Sequence, residues 1–149
     1  LVCDGQRIDP LMEGDRARFL LPAGARDVEL RSGWFQPIWD GGPDARRLGL
    51  AVRAVRIFDG LSVDRRIEAQ DERLCDGFHE AEGVAGSAWR WTNGRARLPA
   101  ELWSDCVGEF FIVVERDASD AYRWRAPQAG AETELSETDN VVPLQHRAV

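Results

Sequence analysis

Residues 89–99 read WRWTNGRARLP: two tryptophans one residue apart, an Asn-Gly dipeptide, then arginines alternating with small or apolar residues. Asn-Gly between two alternating runs is the strongest short hairpin signal, because a type I′ turn needs positive φ at both central positions and these residues tolerate it. Pairing outward from that turn sets Thr92 opposite Arg95, Trp91 opposite Ala96, Arg90 opposite Arg97 and Trp89 opposite Leu98. One face then carries Trp89, Trp91, Ala96 and Leu98, and the other Arg90, Thr92, Arg95 and Arg97. A small alanine beside a large indole favours burial of the first face. The rings are therefore expected in the core, and the arginines on a solvated or salt-bridged face.

The same period of two recurs outward from this stretch. In RARFLLPAGARDVELRS (16–32) an apolar run over Phe19–Leu21 precedes a Pro-Gly turn, after which Val28 and Leu30 alternate with charged residues. RRLGLAVRAVRIF (46–58) alternates through Leu48, Leu50 and Val52 and then shifts phase to Val55 and Ile57, the mark of a bulge or a change of face. GEFFIVVERD (108–117) has the composition of a strand covered on both sides, and AYRWRA (121–126) alternates again. Helical periodicity is weak, with short turns near Asp71–Cys75 or Pro99–Trp103 the best candidates. This pattern predicts an all-β antiparallel sandwich with jelly-roll or Greek-key connections and no extensive helix. One domain is expected over 1–126, followed by a polar, acidic tail or linker over 127–149.

Composition narrows the function classes. At 149 residues a compact fold hides about 70% of the surface of its unfolded chain, enough for one core without staples. The formal charge is −7, from 26 acidic and 19 basic residues, and every basic residue is Arg. A net acidic surface repels phosphate backbones, so nucleic acid is not an expected partner. Cys3, Cys75 and Cys106 are far apart and show no zinc-ligand spacing. There is no apolar run long enough to span a bilayer and no signal-peptide pattern. The start, without Met and already strand-like, reads as a fragment boundary.

No catalytic constellation emerges, so the expectation is no catalytic residues, no metal and no cofactor. His79 stands beside Glu80 and Glu82 in GFHEAEG, a pattern that suits an acid–base or metal pair but more often marks a surface loop. WDGGPDARR (39–47) places Asp40 and Asp44 around two glycines without the ligand count of a calcium loop. The preferred reading there is a turn in which Asp44 pairs with Arg46 or Arg47. Trp34, Trp39 and Trp103 lie near Gly, Pro or polar residues and are expected to be partly exposed; flat rings suit the apolar faces of sugars. The candidate ligand-binding residues are Trp34, Trp39, Asp40 and Asp44.

The runs LVCDGQRIDPLMEGDRARFLLPAGARDVELRSGWFQP (1–37), DARRLGLAV (44–52) and DGFHEAEG (76–83) leading into WRWTNGRARLP resemble, in order and spacing over residues 1–125, the domain that follows the Hint (hedgehog/intein-like) module in bacterial proteins. A similar pattern accompanies bacterial glycosyltransferases and polysaccharide-related proteins. The resemblance implies a β-sandwich accessory domain and supplies no catalytic residues. The self-cleavage chemistry of the parent module is absent: Cys3 is preceded by two residues, no T-x-x-H occurs, and the histidines are His79 and His146. The expected function is a non-catalytic binding or interaction domain appended to a Hint-type or carbohydrate-active protein. Its expected partner is polysaccharide or another domain of the same chain. The alternatives are a purely structural or assembly module and, behind it, a hydrolase centred on His79.

Overall fold

A computed structural model describes residues 1–117; AYRWRA and the segment 127–149 lie outside the described residues. The described residues form eleven strands: β1 Val2–Cys3, β2 Gln6–Arg7, β3 Leu11–Glu13, β4 Arg16–Leu21, β5 Val28–Arg31, β6 Ala51–Phe58, β7 Asp64–Glu68, β8 Phe78–Glu82, β9 Trp89–Thr92, β10 Arg95–Leu98 and β11 Phe110–Arg116. They make two antiparallel sheets packed together, as the alternation predicts. One sheet has the order β10-β5-β1-β2. The other runs β3-β4-β11-β6-β9-β8, with β7 paired to the far end of β6.

Alternation decides which side chains meet between the sheets. Ala17, Phe19 and Leu21 of β4, Val55 and Ile57 of β6, and Phe110, Ile112 and Val114 of β11 point inward against Val28 and Leu30 of β5 and Ala96 and Leu98 of β10. Each large apolar side chain so buried contributes about 1.5–3 kcal/mol. The phase shift read in residues 46–58 is a bulge: Glu115 faces Ala54, whereas Arg116 faces Val52. Residues 48–50 are not strand, however; Leu48 makes one isolated bridge to Phe35 before β6 begins at Ala51.

Residues 89–98 correct the hairpin expectation. Both strands form at the expected positions, but they belong to different sheets: β9 pairs with β8 and β6, and β10 pairs with β5. Only Gly94 of the dipeptide takes positive φ, so the type I′ turn is not made. Instead Asn93 Oδ1 accepts from the Arg95 amide at 2.9 Å and turns the chain round a corner. The Asn93 amide donates to the Gly77 carbonyl at 2.9 Å, and the Arg97 amide to that of Asp76 at 2.9 Å. The type I′ hairpin occurs elsewhere, at Asp4-Gly5, whose φ values of 47° and 83° join β1 to β2 with Cys3 opposite Gln6.

The corner also divides the expected apolar face. Ala96 and Leu98 enter the main core, while Trp91, 7% exposed, joins Leu48, Ala51, Phe35 and half-buried Trp89 in a second, smaller cluster. Trp103, expected to be partly exposed, is buried: it stacks on Phe110 and donates from Nε1 to the Ala25 carbonyl at 2.7 Å. It closes a single 3-10 turn, Ala100–Trp103, and residues 71–75 form turns rather than a helix. Among the described residues no helix is long and apolar enough to cross a membrane.

Of the face expected to be solvated or salt-bridged, Arg95 and Arg97 are salt-bridged, whereas Thr92 is buried and Arg90, half-buried, donates to the Leu74 carbonyl. Arg95 meets buried Glu29 at 3.1 Å, Arg31 pairs with the same carboxylate, and Arg97 lies 3.4 Å from Asp27. Burial pushes the Glu29 pKa upward, but hydrogen bonds from Arg95 and Arg31 outweigh it and hold the group below its ordinary value. A carboxylate depressed in the folded state stabilises the protein fully above the unfolded value of about 4.3 and loses that contribution as pH falls through the folded pKa. Unfolding midpoints in urea should therefore drop between about pH 5 and pH 3. In Glu29→Gln the part of that slope due to Glu29 should be missing, with about 1–2 kcal/mol lost at pH 7 because both arginines are largely solvated. An unchanged acid slope in the variant would contradict this role.

Candidate functional site

The four candidate residues fall on one loop, residues 33–48, whose ends are clamped by the reciprocal Phe35 and Leu48 backbone hydrogen bonds at 2.9 and 2.8 Å. Beneath the clamp, Phe35 meets Trp91 edge to face at 5.7 Å, so the small aromatic cluster is the loop's foundation. Pro37 opens a 3-10 turn, Pro37–Asp40, which the sequence reading did not foresee. Gly41, at φ 82°, closes it by donating to the Ile38 carbonyl. The proline fixes φ for the turn, and a left-handed terminus favours glycine.

That turn presents its apolar side chains to solvent. Trp34 is 37% exposed, Ile38 50% and Trp39 62%. The two indoles are 5.3 Å apart between centroids and tilted by 46°. Trp34 is braced from below, because a Cβ added at Gly94 would lie 3.0 Å from its Cδ1. The Asn-Gly dipeptide thus seats this ring. Above it, the Arg47 guanidinium lies 4.5 Å from the ring centroid, a cation–π contact.

The two aspartates of the loop differ. Asp44 is committed to structure: it takes a forked ion pair from Arg46 at 2.7–3.1 Å and the Arg46 amide at 2.9 Å, and its carbonyl accepts from Ile38. The Arg46 hydrogen bonds hold its carboxyl below the ordinary value. Of the two partners the sequence offered, Arg46 and Arg47, it is Arg46 that pairs, and it extends to Glu82 of β8 at 2.8 Å. Asp40 is exposed at the end of the 3-10 turn, and no described residue pairs with its carboxylate.

His79 is a second tie between β8 and the loop. Its Nε2 donates to the Arg47 carbonyl at 2.7 Å. Glu82 is bound by Arg46, and the His79 ring by the Arg47 carbonyl. Among the described residues no three His, Cys, Asp or Glu side chains gather as metal ligands. A polar depression of about 90 Å³ lies elsewhere, between Asp15, Arg53, Arg66, Glu68, Ser87 and Glu115. That is well below the ~300 Å³ of a small-molecule pocket.

Sequence reasoning missed Ile38 and Arg47. Ile38 had a signal, since four large apolar residues, Trp34, Phe35, Ile38 and Trp39, within six positions of a Gly- and Pro-rich segment cannot all turn inward. Arg47 had none, because its place over Trp34 depends on the Phe35–Leu48 clamp and on His79. No protein-family model, curated protein or solved structure matches this chain.

Proposed function

We propose that the domain is a non-catalytic binding module whose ligand is polysaccharide, attached as an accessory to a Hint-type or carbohydrate-active protein. The observation that carries this reading is a pair of exposed, tilted indoles on a loop that is itself held firmly. Large apolar patches left to solvent mark contact surfaces, and contact residues usually stand on loops positioned by a rigid scaffold. Trp39, the more open ring, stacks on the apolar face of a sugar; Trp34 braces it; Asp40 accepts hydrogen bonds from sugar hydroxyls. Asp44 serves the site by holding the loop closed through Arg46. A single shallow site of this kind binds weakly, because little of the ligand is desolvated.

Affinity electrophoresis through gels containing bacterial polysaccharides tests the reading. The parent protein should be retarded by at least one polymer, and Trp34→Ala/Trp39→Ala, verified as folded by circular dichroism, should run as in polymer-free gel. No retardation by any polymer, or retardation that survives the double change, would favour an assembly module instead.

A further inference from the structure

We infer that the ligand is acidic, a saccharide carrying a carboxylate or sulfate, and that Arg47 selects it; this rests on the polysaccharide reading above. Neighbouring arginines on the loop have different duties. Arg46 is spent on Asp44 and Glu82, at 2.7 and 2.8 Å. Arg47 lies over Trp34 at 4.5 Å, and among the described residues no carboxylate pairs with it. Its backbone is fixed by the 2.7 Å hydrogen bond from His79.

A guanidinium over an indole face keeps its N–H groups available, because the ring contact takes up none of them. It is weakly hydrated on its faces and has already lost much of its rotamer freedom, so a bidentate acid can be accepted at low ordering cost. The acid it accepts would then lie beside the ring on which the sugar stacks. Asp40, the unpaired carboxylate of the same loop, takes a hydroxyl rather than the acid. Long-range attraction is no alternative source of such a preference: the chain carries a formal charge of −7, which repels an acidic polymer as a whole. Selection for acid must therefore come from a local cation.

The experiment is affinity electrophoresis at low salt in matched panels of uncharged glucans and uronate polymers, alginate and polygalacturonate among them. Parent protein, Arg47→Gln and Arg47→Lys are compared, each checked as folded by circular dichroism. The parent should bind uronate polymers about tenfold tighter than the glucans, the size of one charge-assisted hydrogen-bond pair, and the ratio should shrink as salt is raised. Arg47→Gln should bring the ratio to one or below, the overall negative charge then acting unopposed, and Arg47→Lys should fall between. Equal retention of the two panels by the parent, or a preference that persists in Arg47→Gln, would overturn acid selection and leave the polysaccharide reading standing. Retention by neither panel would overturn both.

Discussion

Gly77→Ala is expected to destabilise the domain by more than about 3 kcal/mol, the sum of a severe overlap and a left-handed backbone. Gly77 has φ 77°, and a Cβ there would overlap the Arg95 carbonyl oxygen and come within 2.8 Å of Ala96 Cα. Backbone cannot step aside as a flexible side chain can. The contact exists because residues 76–78 run along both strands of the corner, taking the amides of Asn93 and Arg97. If β9 and β10 formed a hairpin, position 77 would have no reason to be tight. A urea midpoint for Gly77→Ala within about 1 kcal/mol of the parent would therefore refute the crossing between sheets.

Trp91→Ala carries the second large effect, about 3–5 kcal/mol. The indole, 7% exposed, is the centre of the small cluster with Phe35, Leu48, Ala51 and Trp89, and few side chains stand ready to collapse into the space it leaves. It also supports Phe35 and hence the clamp under the loop. Trp39→Ala, at a ring 62% exposed, should cost less than about 1 kcal/mol. Urea denaturation of both variants measures the contrast, and similar losses for the two would show that the cluster is not a second core.

The central strands were legible because their burial shows in the sequence, as period two where one face is buried and as an apolar run where both are covered, whereas Gln6–Arg7 and Leu11–Glu13, exposed throughout, left no such mark. Val28 and Leu30, and Val55 and Ile57, carry the first signature, and Phe19 to Leu21 and Phe110 to Val114 the second. Strand partners were not legible at the corner. Asn93-Gly94 meets the local requirements of a tight hairpin, yet Asn-Gly also serves a corner, and what selects the corner is distant: the carbonyls of Asp76 and Gly77. Asp4-Gly5 carried an equal signal and does make the hairpin, because Asp4 also receives the Arg26 and Asp27 amides and so is held in place. Trp103 was misjudged for a similar reason. Its indole N–H finds its acceptor at Ala25, 78 residues away, and neighbouring polar residues gave no hint of it.

The site was legible in part. Trp34, Trp39, Asp40 and Asp44 could be grouped because they share one Gly- and Pro-rich segment, and the spacing offered Asp44 either Arg46 or Arg47 as its partner. The duties of the two neighbouring arginines could not be separated from sequence, since Glu82 and His79 of β8 decide them from outside the loop.

The central claim is that Trp34 and Trp39 are the surface the ligand covers. Acrylamide quenching of tryptophan fluorescence, with and without uronate polymer, tests it most directly. The parent protein should lose a quenchable component when polymer is added, and Trp34→Ala/Trp39→Ala should lack that polymer-sensitive component from the outset. Quenching that no polymer alters in the parent, or polymer protection that persists in the folded double variant, would contradict the account.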